Sequence, residues 1–277
     1  MIRLFASDLD GTLLNEKHEA DDTIERTIQN IVDSGRYFSV ATGRSADMVQ
    51  FSSVGDKIYY VCMNGAVIMD PQKKVICQQT IDKQVLRELL ERFPSSYLEY
   101  ITPTHTFICQ EKESFASFME EKRKGLKSAE TFLKRLRERI DNAMSFSQSM
   151  DMILQQDICK INCQVKDEEE ANALNAFLDS HQDVLVNAPS NHGGFEITKA
   201  GVNKGTAVLW LSQKLGIAQE EVAVYGDGGN DLEMLQMFAH SYAPSSAYEE
   251  AKETASMIIG PYQEYSVIRH METLLKK

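Results

Sequence analysis

Nowhere does this sequence carry an uninterrupted apolar stretch of the roughly 20 residues that a membrane-spanning helix requires. The N-terminal run Met1-Ile2-Arg3-Leu4-Phe5-Ala6 leads straight into Asp8 and Asp10, which the apolar core of a secretory leader would not tolerate. Cations are also in deficit: 29 Lys and Arg stand against 41 Asp and Glu, a formal net charge of -12. A nonspecific nucleic-acid binder is excluded on that ground, because phosphate backbones need clustered cations. A small phosphorylated molecule is not excluded, since a local cationic pocket can override the global field. Five cysteines (Cys62, Cys77, Cys109, Cys159 and Cys163) form no Cys-x-x-Cys pair, and six histidines are scattered without a ligand pattern. Neither a zinc site nor a disulfide framework is expected, and the thiols read as reduced and buried in a cytoplasmic protein. Internal repeats and low-complexity tracts are lacking as well.

What remains is a globular balance, 43% hydrophobic and 25% charged, in 277 residues. That length is more than one ordinary core holds, so one large or two medium domains are expected. Ile2 to Ser7 is a short apolar run, a strand leading into a turn. Asp22 to Ser34 places Ile24, Ile28, Ile31 and Val32 at helical spacing, with Gly35 closing the helix. Tyr37 to Ala41 and Ile58 to Met63 read as further buried strands. Strands alternating with helices at this spacing predict an α/β unit with a parallel sheet.

The character changes near Ile81. Tyr97–Ile101 and Thr106–Gln110 read as a hairpin around Pro103, and Glu111 to Ile140 as a charged, solvated helical stretch. A strand at Ile158–Val165, a helix at Asp167–Ser180 and strands at Val184–Asn187 and Phe195–Thr198 complete an α+β block. From Val202 the first pattern resumes, with a helix at Lys204–Leu215, a strand at Val222–Tyr225, a glycine-rich loop, a helix and three more elements. The simplest account is an α/β core, 1–82 and 189–277, interrupted by an inserted domain, 83–188.

Four segments at strand ends carry chemistry. Asp8-Leu9-Asp10-Gly11-Thr12 follows the first strand. Residues two apart on an extended chain point the same way, so both carboxylates can face one site, and Gly11 permits a sharp turn after them. Ligands of open α/β sheets bind beyond the carboxyl ends of the strands, where this pair falls. Ala41-Thr42-Gly43-Arg44 offers a hydroxyl and a backbone N–H to a phosphate oxygen, though taken alone a plain strand-to-helix turn with Thr42 as N-cap explains it better. Gly201-Val202-Asn203-Lys204-Gly205 puts a lysine at a helix start, where a cation opposes the macrodipole unless something negative lies nearby. Tyr225-Gly226-Asp227-Gly228-Gly229-Asn230-Asp231 has two carboxylates four apart that one turn can aim at one cation.

In this order, the four segments resemble the four motifs of the haloacid dehalogenase superfamily. Asp8-Leu9-Asp10-Gly11-Thr12 looks like its first motif, Thr42 its second, Lys204 its third, and Asp227 with Asp231 its fourth. The inserted block and the run Asn64-Gly65-Ala66 further resemble the Cof-type branch. The resemblance implies a Rossmann-like core with an α/β cap and a Mg²⁺-dependent phosphatase acting on a small phosphorylated metabolite. It implies that Asp8 attacks phosphorus and forms an aspartyl phosphate, while Asp10 protonates the leaving alcohol and later activates water. Asp8, Asp10 (through its carbonyl), Asp227 and Asp231 would surround the metal. Thr42, Gly43, Lys204 and Asn230 would bind the phosphoryl group, with Arg44, Asn64 and Gly65 on the substrate side.

Two segments depart from the branch. Ala243-Pro244-Ser245-Ser246-Ala247 replaces a usual Ala-Met-Gly-Asn-Ala, and Gly260-Pro261-Tyr262-Gln263-Glu264-Tyr265 replaces a usual Asn-x-x-x-Gly-Val loop. A phosphomutase, which uses the same two aspartates, and a catalytically silent binding protein are the alternative readings. Inactive members of such a family usually lose an aspartate, whereas all four are present here. The substrate stays open among sugar phosphates, nucleotides and cofactor-like phosphates. The Asn187–Gly194 approach, with Asn191 and His192, and the Pro103–Thr106 turn are candidate specificity segments.

Overall fold

The opening run Leu4–Ser7 is buried at every position, as a central strand covered on both faces requires. In a computed structural model of the chain, which describes residues 1–125, 129–189 and 194–276, this run is the first strand of a mixed α/β fold. In chain order the elements begin with β1 (Leu4–Ser7), α1 (Asp22–Asp33), β2 (Tyr37–Ala41), β3 (Tyr59–Cys62), β4 (Val67–Met69) and β5 (Val75–Gln78). Next come α2 (Lys83–Arg92), β6 (Leu98–Ile101), β7 (Thr106–Phe107), α3 (Lys112–Arg123), α4 (Ala129–Asn142) and β8 (Met144–Ser145). They are followed by α5 (Met150–Leu154), β9 (Lys160–Cys163), α6 (Glu168–Asp179), β10 (Leu185–Asn187) and β11 (Phe195–Lys199). The last stretch holds α7 (Lys204–Lys214), β12 (Val222–Tyr225), α8 (Leu232–Met237), β13 (His240–Pro244), α9 (Glu249–Thr254), β14 (Met257–Ile259) and α10 (Ser266–Leu275).

Two units result, Met1–Gln79 with Gly201–Lys277, and Thr80–Ala200. The first holds the sheet β14-β13-β12-β1-β2-β3-β4-β5. From β14 through β3 every pairing is parallel. β1 lies at the switch point: later strands of the opening segment stack on one side of it and β12 to β14 on the other. Helix α1 follows its predicted register, burying Ile24, Ile28 and Ile31. Asp21 caps it by accepting from the Thr23 and Ile24 N–H groups. Helix α7 starts in a capping box between Asn203 and Thr206. Val208, Leu211, Met234, Leu235 and Phe238 pack with Leu4, Val222 and Val224 in one apolar cluster.

The second unit holds the sheet β10-β11-β9-β6-β7-β8, antiparallel except between β7 and β8. One face buries Leu98, Tyr100, Ile161, Cys163, Phe195 and Ile197 with Leu86 and Leu89 of α2 and Leu174 of α6. The chain re-enters the first unit at Gly201 rather than at the expected 188/189 boundary. The reason lies in β11, which hydrogen-bonds to both β9 and β10 and therefore belongs to the inserted sheet. The charged stretch after Glu111 forms two helices, α3 and α4, with 126–128 outside the described residues. Strands β4 and β5 extend the first sheet by an antiparallel pair that the sequence reading did not anticipate. Past the helix after the glycine-rich loop, α10 adds a fourth element to the three expected.

Close packing of α7 on the turn after β3 depends on one glycine. Gly65 has φ +100°, and a Cβ there would lie 2.4 Å from the Asn203 carbonyl oxygen and 2.9 Å from the Ala207 Cβ. Gly65→Ala combines a strained backbone with a backbone clash and is expected to destabilise the fold by about 2–3 kcal/mol. Chemical denaturation should show a lower midpoint with an unchanged slope. An unaltered midpoint would mean that α7 can lift off the turn without cost.

Candidate active site

The carboxyl ends of β12, β1, β2 and β3 lie side by side. The loops that leave β1, β2 and β12 carry three of the predicted segments, and the fourth, with Lys204, opens α7. Asp8 follows β1 in extended conformation, its N–H donating to the Tyr225 carbonyl at 2.9 Å. Lys204 is the first residue of α7 and only 1% exposed. Its ammonium donates to Asp8 Oδ1 at 2.6 Å, Asp231 Oδ1 at 2.8 Å and Asn230 Oδ1 at 3.3 Å. All three ammonium hydrogens thus find an acceptor. Burial opposes the charge of Lys204, but Asp231 and Asp8 outweigh it and hold its pKa above the ordinary lysine value.

Asp231, fully buried, is engaged on both oxygens: Oδ2 accepts the N–H groups of Asp227 and Gly228 at 3.0 Å each. It therefore fixes the backbone of the glycine-rich loop. Asp227 Oδ1 accepts the Thr12 hydroxyl at 2.7 Å. Gly11, at φ +79°, lets that loop close in, because a Cβ there would sit 2.3 Å from Asp227 Oδ2. One carboxylate oxygen from each of Asp8, Asp227 and Asp231 falls within 4.8 Å of the others.

This crowding shows in the titration of the group. Burial raises Asp8 well above the ordinary carboxylate range; Lys204 pulls it back, while Asp231, Asp227 and Asp10 push it up. Asp227 is pushed up to about 6 by burial and by Asp231, against the Thr12 hydrogen bond and Lys204. Net negative charge is therefore confined beyond what Lys204 neutralises. Asp8 Oδ2 and Asp227 Oδ2 accept no hydrogen bond among the described residues. Hard oxygen donors, surplus negative charge and two available oxygens suit a divalent cation such as those that prefer carboxylate and carbonyl ligands.

After Asp8 the chain kinks at Asp10 and Gly11, and different groups hold the two carboxylates. Arg44 grips Asp10 with Nε on Oδ2 at 2.8 Å and Nη2 on Oδ1 at 2.5 Å. His18 Nδ1 lies 2.8 Å from Asp10 Oδ1. Burial would raise the pKa of Asp10, yet the His18 hydrogen bond and the Arg44 charge overcome it and bring it down to about 2. Arg44, expected on the substrate side, thus commits its guanidinium to Asp10, with Nη1 also donating to the Met48 carbonyl at 3.3 Å.

Thr42 is buried at the end of β2, its hydroxyl oxygen accepting the Arg44 N–H at 3.1 Å, and Gly43 lies between the two. Asn64 is buried in a left-handed conformation, φ +55°, and its Oδ1 accepts Asn230 Nδ2 at 3.0 Å. A chain of hydrogen bonds therefore runs from Asn64 through Asn230 to Lys204. Gly65 serves the packing of α7 described above. Asn191 and His192 lie outside the described residues. The Pro103–Thr106 turn is closed by the Thr102 N–H donating to the His105 carbonyl at 2.8 Å.

Four contributors were not singled out from the sequence. Thr12 stood inside the first motif and could have been read as a partner of the fourth. His18 carried no signal. Tyr248 donates its N–H to the Asp227 carbonyl at 3.0 Å. The pKa of the Tyr262 phenol is raised by burial and then by the charges of Glu16, Asp227 and Asp10, which sets it beside the same cluster. The two divergent segments thus border the Asp227 loop.

A sheet with a parallel centre of this strand order thus carries Asp8, Lys204 and the Asp227–Asp231 loop at its carboxyl edge. A family model described as haloacid dehalogenase-like hydrolase matches residues 5–271, and the chain belongs to that family. Phosphatase YwpJ of Bacillus subtilis (strain 168) is 27% identical over 286 residues, covering 99% of this chain and 100% of its own. The 5-amino-6-(5-phospho-D-ribitylamino)uracil phosphatase YbjI of Escherichia coli (strain K12) is 23% identical over 278 residues, covering 99% and 97%. A solved haloacid dehalogenase-like hydrolase from B. subtilis superposes with a TM-score of 0.83 at 26% identity, covering 99% and 100%. No helix among the described residues is long and apolar enough to cross a membrane.

Lys204→Met would leave Asp8 and Asp231 buried without their cation, an expected loss of about 3–5 kcal/mol. Protonation relieves carboxylate repulsion, so the loss should be smaller at pH 5 than at pH 8. Thermal unfolding of both proteins across that range checks this. An equal loss at both pH values would contradict charge compensation as the role of Lys204.

Proposed function

We propose that this phosphatase hydrolyses a small phosphate monoester through an aspartyl phosphate on Asp8, with Mg²⁺ as cofactor. The observation that carries the reading is the Lys204 ammonium 2.6 Å from Asp8 Oδ1, inside the Asp8–Asp227–Asp231 carboxylate group. Asp8, Asp227 and the Asp10 carbonyl would hold the metal, while Asp231 acts by fixing the loop and Lys204. Bound there, Mg²⁺ would supply Lewis-acid neutralisation of phosphoryl charge and of the nucleophile.

Asp8 would attack phosphorus in line through one carboxylate oxygen, breaking the bond to the ester oxygen. Lys204, Thr42 and the Gly43 N–H would balance charge on the phosphoryl oxygens. Asp10, ionised in the Arg44–His18 grip, is in the form that takes a proton from the attacking water in the second step. In the first step it delivers a proton to the leaving oxygen, which requires that it be protonated when the ester arrives. Relatives named for 5-amino-6-(5-phospho-D-ribitylamino)uracil support including phosphorylated sugar alcohols and nucleotide-like esters among the candidate substrates.

Phosphate release from p-nitrophenyl phosphate and a panel of sugar, nucleotide and ribityl phosphates, with Mg²⁺ or with EDTA, tests the reading. Activity should require Mg²⁺, vanish in Asp8→Asn and fall roughly 10²–10⁴-fold in Asp10→Asn. Metal-dependent turnover retained by Asp8→Asn would remove it as the nucleophile. Isomer formation without free phosphate would make the protein a mutase.

The metal has a second readout. The pKa of Asp227, about 6, lies above its ordinary value, so in the metal-free protein protons bind it more tightly folded than unfolded. Its carboxylate therefore costs the fold stability as pH rises through that window, and a bound cation relieves this cost. Added Mg²⁺ should raise the melting temperature more at pH 8 than at pH 5, and Asp227→Asn should blunt the rise. An equal rise at both pH values would take Asp227 out of the metal shell.

A further inference from the structure

The loop that follows the first motif is built around one imidazole. Asn15 organises it: its N–H donates to the Glu19 carbonyl at 3.1 Å and its carbonyl accepts the His18 N–H at 2.8 Å. Its side-chain Oδ1 accepts the N–H groups of Lys17 at 2.9 Å and Glu19 at 3.2 Å. Its Nδ2 donates to Asp21 Oδ2 at 3.1 Å, the same oxygen that accepts the Tyr265 hydroxyl. Asp21 in turn caps α1, so the loop is tied at once to α1 and to the residue preceding α10.

Within this frame His18 adopts φ +59°, a left-handed conformation that a non-glycine residue takes at a cost. Backbone strain of this kind is retained where something else over-determines it. Here the outcome is an imidazole Nδ1 2.8 Å from Asp10 Oδ1, on the same carboxylate that Arg44 grips. Arg44 approaches from the loop after β2 and His18 from the loop after the first motif, so two segments fix the Asp10 carboxylate together.

We propose that His18 is a positioning residue for Asp10, holding its carboxylate, together with Arg44, in the orientation from which it exchanges protons with the reacting oxygen. The proposal rests on the reading of Asp10 as general acid–base. His18 makes no bond to phosphorus and is not itself required to change charge. It limits the arc through which Asp10 turns, and small misplacements of a reacting group are costly in rate.

A double-mutant cycle on p-nitrophenyl phosphate turnover with Mg²⁺ tests this, using His18→Gly and His18→Asn in wild-type and Asp10→Asn backgrounds. Glycine accepts φ +59° without steric strain, so His18→Gly removes the imidazole without a backbone clash, and its melting temperature is measured alongside to show that the fold is retained. Asparagine tolerates the same backbone and sets an amide nitrogen where Nδ1 stood. The expected result is that His18→Gly lowers kcat about 10-fold with KM within about twofold. His18→Asn should restore most of the rate, and neither change should slow Asp10→Asn further. An undiminished kcat, a rise in KM alone, or the same fold-loss in the Asp10→Asn background would overturn the proposal. Full activity in Asp10→Asn by itself is a distinct result, which defeats the general acid–base reading on which the proposal stands.

Discussion

A single buried ammonium organises this molecule. An isolated lysine in a protein interior is not tolerated as a cation, and one at a helix N-terminus also faces the positive end of the dipole. Lys204 persists there because Asp8, Asp231 and Asn230 each accept one of its hydrogens. Those acceptors come from the loops after β1 and β12, and Lys204 from the start of α7. Three stretches far apart in sequence are therefore fixed relative to one another by charge, while the apolar cluster beneath fixes the strands that deliver them. Asp231 extends the arrangement by holding the Asp227 and Gly228 N–H groups, so the loop carrying Asp227 takes its shape from the same ion pair.

Neutralisation by Lys204 is incomplete, and the surplus divides the carboxylates chemically. Asp8 and Asp227 are raised, first by burial and then by their acidic neighbours. Asp10, in the same loop as Asp8, is brought down to about 2 because the contacts from His18 and Arg44 outweigh its burial. Two aspartates separated by one residue thus live in opposite environments. The first pair has reason to attract a cation; the last is already satisfied by nitrogen donors.

Much of this was legible in the sequence, for physical reasons that also explain what was not. Central parallel strands are buried on both faces and read as continuous apolar runs, so β1, β2, β3 and β12 stand out. The motif loops announce themselves because close backbone approach requires glycine beside the carboxylates. Strands β4 and β5 are three and four residues long and β8 two, too short for any periodicity to show. The chain's return to the first unit was set too early because β11 is an alternating strand whose sheet membership depends on partners distant in sequence. Two-residue spacing suggested that Asp8 and Asp10 face one way, which holds only on extended chain. The chain kinks at Asp10 and Gly11, and the grip of Arg44 and His18 on Asp10 is a three-dimensional fact without a local signature.

The two segments that depart from the family's usual motifs show which features of such a site are free to vary. The run Ala243–Ala247 leads into Tyr248, whose contribution to the Asp227 loop is a backbone N–H bond to the Asp227 carbonyl. The Ser245 N–H donates to the Ile259 carbonyl at 2.9 Å, which ties this run to the end of β14, just ahead of the second divergent segment. Any residue but proline supplies such N–H donors, so the bracing survives a change of side chains. Tyr262, by contrast, brings a side chain to this segment, a phenol whose pKa is raised by burial and then by the charges of Glu16, Asp227 and Asp10. Main-chain bracing keeps the Asp227 loop in place, and the side chains that border it are left to differentiate this chain from its relatives.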